Sequence, residues 1–165
     1  MALRTALSMA TLCASLQALV PAPTPAQTRP DSGITSTIDR LFDAMKRSDT
    51  VAVRAAFLAG GRVIVMPVPG APADKLTALS LDDFVKFTGN NAPGSWIERA
   101  WSPVTSTSGT LGSVWFDYDI YRNGALTQCG SNSVQLQRSG SEWKIVSMAF
   151  SARRTDCPSH PAPGL

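Results

Sequence analysis

The fold is decided by residues 111–150, which read LGSVWFDYDIYRNGALTQCGSNSVQLQRSGSEWKIVSMAF. Their alternation and turn residues predict three long antiparallel strands, which cover 111–122, 125–138 and 142–151. The first connection is Asn123-Gly124, a pair that favours a type I′ turn because both central residues need positive φ. A looser turn around Gly140 makes the second connection. These residues therefore predict a meander that forms the main part of one sheet.

The same turn predicts the register of the first two strands. An uninterrupted ladder places Asp119 opposite Gln128 and Trp115 opposite Asn132. Because side chains alternate between the two faces of a strand, one face would carry a polar cluster next to apolar residues, which is typical of a ligand pocket. The residues predicted to line this pocket are Trp96, Trp115, Asp117, Tyr121, Gln128 and Asn132.

Asp119 is the candidate catalytic residue within this cluster. Loss of water in a cavity would raise the pKa of its carboxyl and make it a usable base or a neutral donor. Two alternatives stand beside catalysis. Asp119 would hydrogen-bond a ligand that undergoes no reaction, or it would be a structural carboxylate satisfied by Gln128 across the strand pair.

The composition predicts one domain and excludes several kinds of partner. The chain has 165 residues, of which 44% are hydrophobic, and chains of this length normally form a single domain. The net charge is only +3 and Lys and Arg form no long run, so we expect no nucleic-acid partner. The only histidine is His160, and no Cys-x-x-Cys motif occurs. We therefore expect no metal, no cofactor and no Ser/His triad.

The N-terminus predicts export from the cell. Residues 1–26 combine one positive charge at Arg4, an apolar stretch and small residues around Ala26, which is the pattern of a cleaved secretory signal peptide. The alternative is an uncleaved N-terminal anchor. After cleavage we expect a periplasmic or secreted protein that has no stable membrane insertion and begins with a flexible arm at 27–33.

Two cysteines remain after the predicted cleavage, Cys129 and Cys157. In an exported chain such a pair predicts a disulfide, the alternative being two free thiols. The register places Cys129 on the face opposite the pocket. Cys157 belongs to a predicted tail, 153–165, which would fold back over that face.

The segments that precede the meander predict helices followed by strands. Residues 34–45 carry an apolar stripe at helical spacing. Asp49 is expected to cap a second helix and Ser80 a third. The predicted elements that follow the first helix are a helix at 50–58, a strand at 62–68, a loop at 70–78, a helix from 81 and a strand at 95–105. This order predicts an α+β domain over 34–152, with a curved antiparallel sheet wrapped around the N-terminal helices.

Several short motifs carry a resemblance to a known superfamily. They are Glu98-Arg99-Ala100-Trp101-Ser102-Pro103, Val114-Trp115, Tyr118-Asp119-Ile120-Tyr121, Asn123-Gly124, Cys129-Gly130, Leu136-Gln137-Arg138, Trp143-Lys144-Ile145 and Arg153-Arg154. Over about residues 34–157 the chain resembles the nuclear transport factor 2-like superfamily, and within it an exported branch of unknown function. The superfamily includes SnoaL-like cyclases, ketosteroid isomerases and limonene-epoxide hydrolases. The resemblance implies a cystatin-like cone that is often dimeric through the sheet.

Two classes of function follow from these observations. The first is a domain that binds a small apolar molecule in the cone, either without catalysis or as a lyase, isomerase or hydrolase that uses Asp119. The second is a non-catalytic dimerisation or interaction domain. It is indicated by the last strand, where Val146, Met148 and Phe150 alternate with Trp143 and Ile145, so that both faces of the strand need cover.

Overall fold

The computed structural model describes residues 31–67 and 77–161. The predicted signal peptide at 1–26, most of the arm at 27–33 and the end of the tail beyond 161 lie outside the described residues. The helices are α1 (Ser32–Lys46), α2 (Thr50–Ala56) and α3 (Leu81–Gly89). The strands are β1 (Phe57–Val65), β2 (Thr77–Ser80), β3 (Trp96–Ser108), β4 (Leu111–Arg122), β5 (Ala125–Ser139) and β6 (Glu142–Phe150).

Side-chain caps fix the starts of the helices. The Asp31 carboxylate accepts hydrogen bonds from the backbone N–H groups of Gly33 and Ile34, so α1 begins two residues before the expected position. Asp49 caps α2 and Ser80 caps α3, as predicted. The apolar stripe of α1 is buried against the sheet, and this contact holds the helix in place.

The described strands form one sheet in the order β2-β1-β6-β5-β4-β3. The pair β1–β6 is parallel and the other neighbours are antiparallel. We call the side that packs on the helices the inner face and the opposite side the outer face. The predicted α+β architecture is therefore confirmed, with the core between the helices and the inner face.

The edge of the sheet differs from the sequence prediction. The first strand begins at Phe57 and not at 62, because Gly60-Gly61, which lies between the helix predicted at 50–58 and the strand predicted at 62–68, is part of β1. Gly60 has φ 82°, and the register against β6 shifts between Phe57 and Arg62, so the glycines form an irregularity that extends the strand. The short strand β2 overlaps the end of the predicted loop at 70–78 and continues to Ser80.

A bulge at Thr127 changes the register of the central hairpin. Asn123 and Gly124 have φ values of 51° and 82°, which confirms the predicted turn. Tyr121 pairs with Leu126, as predicted, but the ladder then shifts by one residue. Beyond the bulge Asp119 pairs with Cys129 and not with Gln128. The predicted register was therefore wrong beyond its first two pairs, because one extra residue reverses which side chains share a face.

A second bulge lies in β6. Leu136 pairs with Ile145 and Gln135 pairs with Ser147, so Val146 is the extra residue. As a result Ile145 and Met148 are both buried in the core, while Val146 is exposed. The expectation that both faces of this strand need cover was wrong for this reason.

The tail after β6 lies on the outer face and is fixed there. The backbones of Arg153 and Cys129 exchange two hydrogen bonds, and Cys129 forms a disulfide with Cys157. The His160 ring contacts the Trp101 ring edge to face at 4.8 Å. The predicted disulfide is confirmed. Cys129 lies on the face opposite the cavity, but it shares this face with Asp119, from which the predicted register had separated it.

Candidate functional site

A cavity of about 210 Å³ lies between the inner face of the sheet and helices α1 and α3. Every strand contributes to its wall, which is mainly apolar and aromatic. The lining residues are Met45, Val63, Val65, Leu79, Phe84, Phe87, Trp96, Glu98, Tyr118, Ile120, Gln128, Met148 and Phe150. Among the lining residues that the structure describes, Glu98 is the only one with an acidic or basic side chain.

Strand alternation brings the polar groups of the cavity together. Trp96 and Glu98 are two residues apart in β3 and therefore lie on the same face. In β4 the inner face carries Tyr118 and Ile120. The bulge at Thr127 then turns Gln128 to this same face, since Gln128 pairs with Ile120. Without that extra residue, Gln128 would lie on the outer face together with Asp119.

The Glu98 carboxyl is held at the polar end of the cavity by neutral groups. Asn132, which is only 1% exposed, donates from Nδ2 to Glu98 Oε1 at 3.4 Å. The Trp96 indole N–H is buried, makes no hydrogen bond with any described residue, and is close enough to the carboxyl to lower its pKa. Loss of solvent outweighs both effects and raises the Glu98 pKa to about 8, with a smaller contribution from the nearby charge of Asp119.

A chain of hydrogen bonds forms next to Glu98. Gln128 Nε2 donates to the Tyr118 hydroxyl at 2.6 Å, and that hydroxyl donates to the Ser151 carbonyl oxygen at 2.8 Å. Burial raises the Tyr118 pKa well above its usual range, so the phenol is neutral at physiological pH. Gly130 permits this approach of the tail, since a Cβ there would lie 2.1 Å from the Ser151 oxygen. The Tyr118 proton is therefore already committed, and the hydroxyl presents an acceptor.

Aromatic rings surround the polar end. Trp96 packs edge to face on Phe87 at 5.2 Å, and Tyr118 packs on Phe150 at 6.2 Å. The Arg122 guanidinium stacks over the Trp96 ring at 5.0 Å from its centroid. The rings that line the cavity are thus held in place by neighbours.

The structure separates the predicted site residues onto two faces. Trp96 and Gln128 line the cavity, and Asn132 lies behind Glu98. The others lie on the outer face: Trp115, Asp117, Asp119 and Tyr121. The prediction of a catalytic Asp119 thereby loses its geometric basis, because the cavity and this carboxyl are on opposite sides of the sheet.

On the outer face, Asp119 forms an ion pair with Arg99. The guanidinium donates from Nε to Oδ1 at 2.8 Å and from Nη2 to Oδ2 at 2.5 Å. The Asp119 side chain is 3% exposed and that of Arg99 is 16% exposed. The same guanidinium stacks on the Tyr121 ring at 4.7 Å. This two-bond geometry fixes the positions of β3 and β4 relative to each other.

Other outer-face residues have simpler surroundings. Asp117 accepts a hydrogen bond from the Ser131 hydroxyl at 2.9 Å. Trp115 is 54% exposed and pairs across the strands with Val104, which is 69% exposed. The predicted homodimer through the sheet stays a prediction.

Sequence reasoning missed Glu98 and Tyr118 as cavity residues. The signal for Glu98 was its distance of two residues from Trp96, which had been placed in the pocket. The signal for Tyr118 was the apolar alternation of its own strand, since Val114, Phe116 and Ile120 lie on its face and are all buried.

Residues 31–67 and 77–161 contain neither a cluster of metal ligands nor a helix that could span a membrane. No three His, Cys, Asp or Glu side chains converge there in a way that could hold a metal ion. None of the helices in these residues is both long enough and apolar enough to cross a membrane.

Solved structures with the same cone define the class of fold. No family model matches the chain, and no curated protein matches it in sequence. A protein of unknown function with a cystatin-like fold from Nostoc punctiforme is similar at a TM-score of 0.61, with 6% identity over 78% of this chain and 97% of that one.

Two further neighbours agree on the fold. A nuclear transport factor 2-like protein with a cystatin-like fold from Novosphingobium aromaticivorans has a TM-score of 0.59, with 12% identity over 77% of this chain and 82% of its own. A proposed dehydratase of the nuclear transport factor 2-like family from Streptomyces avermitilis has a TM-score of 0.55, with 18% identity over 72% of this chain and 92% of its own. The chain thus has the cystatin-like, nuclear transport factor 2-like cone fold. At these identities the likeness extends to the fold alone.

Proposed function

We propose that this chain is an exported domain that binds a small, mainly apolar molecule inside the cone. The observation that supports the proposal is the cavity itself, about 210 Å³ with an apolar wall and a few polar groups collected at one end. Ligand sites have this composition, in which apolar surface supplies affinity and a few polar groups fix orientation. An engineered apolar cavity of about 150 Å³ is known to bind benzene, so a compound with one ring is the expected size.

Export is the part of the proposal that rests on the N-terminus and the disulfide. Residues 1–26 have the pattern of a signal peptide, and Cys129–Cys157 is the kind of bond that persists in oxidising compartments. Both observations favour the periplasm or the medium as the place where the ligand is met.

Acid–base catalysis is the second candidate function. It is favoured by the Glu98 carboxyl, whose pKa of about 8 is suited to proton transfer near neutral pH. A dehydratase, as proposed for the neighbour from Streptomyces avermitilis, would need such a group. In this reading Glu98, and not Asp119, moves the proton. A lyase or isomerase would then lose turnover in Glu98→Gln while retaining its affinity for the substrate.

Binding is tested with tert-butylbenzene as the probe. We expect saturable shifts of the Trp96 indole N–H and Met148 methyl signals in NMR spectra of the protein. Leu79 is half-buried at the cavity wall, so Leu79→Trp should fill the space and weaken binding by at least about tenfold, because the ring of the variant takes the volume that the probe needs.

A matched variant controls for the substitution itself. Leu126 is 45% exposed on β5 and lies outside the cavity, so Leu126→Trp should bind the probe as the native protein does. Absence of saturable shifts in the native protein, or equal affinity in both tryptophan variants, would contradict a ligand site in the cone.

A further inference from the structure

We propose that the cavity is built for an organic cation, a small ammonium compound whose charged head contacts Glu98 and whose apolar body fills the remaining space. The inference rests on the proposed function, because it names the class of ligand for the same cavity. It is carried by three observations: the hydrogen-bond donors around the carboxyl, the absence of a counter-charge in the described wall, and the aromatic rings at the same end.

The two polar neighbours of Glu98 are arranged for a carboxylate. Asn132 Nδ2 donates to it, and the buried N–H of Trp96 faces it without another partner. Both groups lower its pKa and so favour the ionised form. A neutral Glu98 acid would instead need an acceptor for its proton, and Asn132 would present its buried, unpaired Oδ1 to the carboxyl only if its amide were rotated by 180°.

Among residues 31–67 and 77–161, the elements around the cavity line it with no charge that would balance this carboxylate. Helices α1 and α3 present Met45, Phe84 and Phe87 to the cavity, and β6 presents Met148 and Phe150, none of which titrates. Strand β4 presents the neutral Tyr118 and, from its outer face, Asp119, a second acid that raises the Glu98 pKa further.

Two cations of the described strands lie near this end of the cavity. Arg99, which follows Glu98 in β3, lies on the outer face and is engaged there with Asp119. Arg122 stacks on the Trp96 ring at 5.0 Å. Glu98 therefore holds its proton because no described residue forms an ion pair with it, and a cationic ligand would supply the missing charge. An anionic ligand would find no basic group in the described wall.

The aromatic rings favour the same ligand class. Trp96, Tyr118 and Phe150 border the polar end, and the faces of such rings attract ammonium groups most strongly where water is excluded. The Tyr118 hydroxyl, whose proton is given to Ser151, presents only lone pairs to a ligand, apart from the hydrogen bond it accepts from Gln128.

The test compares two probes of the same shape, phenyltrimethylammonium and tert-butylbenzene. The first carries a permanent charge, so only the protein titrates. With a Glu98 pKa of about 8, about 1% of the carboxyl is ionised at pH 6 and about half at pH 8. We expect the cation to bind about fifty-fold more tightly at pH 8 than at pH 6, with the neutral probe unchanged.

Calorimetry in two buffers of different ionisation enthalpy gives a second readout. Binding of the cation at pH 6 should release about one proton, because Glu98 must ionise. Binding of tert-butylbenzene should release none.

Two glutamate variants locate the effect. Glu98→Gln should remove the pH dependence and the preference for the cation, while tert-butylbenzene binds as before. Glu142→Gln makes the same chemical change at an exposed strand end and should leave both probes unaffected.

The outcomes separate this inference from the proposal on which it rests. If tert-butylbenzene binds in the cavity and the cation binds no better at pH 8, the ligand class is wrong and the ligand site stands. Affinity for the neutral probe that falls above pH 8, with no gain for the cation, would show that the cavity binds its ligand with an uncharged Glu98 and would overturn the inference. If neither probe binds, both proposals are wrong.

Discussion

Two acidic residues on adjacent strands lie on opposite faces of one sheet and have opposite surroundings. On the outer face Asp119 is buried against a guanidinium that makes two hydrogen bonds with it. On the inner face Glu98 meets an amide, an indole and a cavity. A buried carboxylate with a matched cation is a structural element, whereas one without a cation is a marker of a functional site. Because of this difference, we place the candidate site at Glu98 and not at Asp119.

Removal of the Asp119 carboxylate should produce the largest loss of stability. Asp119→Ala leaves the Arg99 guanidinium buried without its carboxylate, a change that costs about 3–5 kcal/mol of unfolding free energy. Urea denaturation would measure it. The cavity lies on the other side of the sheet, so the folded variant should bind tert-butylbenzene with unchanged affinity.

Two variants test whether the unpaired charge of Arg99 causes this loss of stability. Asp117→Ala removes a carboxylate from the same strand and face, but its partner is the Ser131 hydroxyl, so a loss of about 1 kcal/mol is expected. The double variant Arg99→Met with Asp119→Leu should recover most of the stability, because no unpaired charge remains. If Asp119→Ala and Asp117→Ala lower the unfolding free energy by the same amount, the Arg99–Asp119 ion pair does not account for the stability of the outer face.

Loss of the Cys129–Cys157 disulfide, which lies on the outer face, should cause the next largest loss of stability. The bond joins residues 28 apart, and in the chain-entropy model a loop of that length stabilises the fold by about 3.5 kcal/mol. Cys157→Ser should lower the unfolding free energy by this amount.

Reduction supplies the control for this variant. The native protein in reductant should lose the same free energy, and Cys157→Ser in reductant should lose no more. A native protein whose unfolding midpoint does not respond to reductant would show that the bond adds nothing to stability.

A turn, a helix cap and the disulfide could be predicted from the local sequence. Asn123-Gly124 adopts the positive φ values that its turn needs, and Ser80 caps the helix it precedes. The pairing of Cys129 with Cys157 followed from the predicted export of a chain with two cysteines. Each of these features depends on a few residues whose conformational preferences are strong, which is why sequence reasoning found them.

The assignment of faces could not be predicted in the same way, because it depends on one bulge. In β4 the apolar set includes Phe116 and Ile120, whereas in β5 it includes Val134 and Leu136. An uninterrupted register from the turn places these two sets on opposite faces, and only an extra residue can bring both into one core. That conflict was visible in the sequence, but its position, Thr127, was not. The hydrogen bond from the Thr127 hydroxyl to the Ile120 carbonyl forms only after the strands pair.

A slope of the unfolding free energy with pH tests the inner face directly. The Glu98 pKa is about 8 in the folded protein, against an ordinary value of 4.5, so folding takes up a proton between these pH values. The contribution of Glu98 to stability is therefore complete below about pH 4.5, falls by about 1.4 kcal/mol for each unit as the pH rises towards 8, and is constant above that.

Glu98→Gln has no proton to take up. The unfolding free energy of this variant relative to that of the native protein should therefore grow with pH by this amount in urea titrations at pH 5, 6, 7 and 8. Glu142→Gln should run parallel to the native protein throughout, since that side chain is exposed. If the unfolding free energy of Glu98→Gln also ran parallel to that of the native protein, Glu98 would be ionised in the empty cavity. Glu98 and Asp119 would then differ in their neighbouring groups and not in their charge.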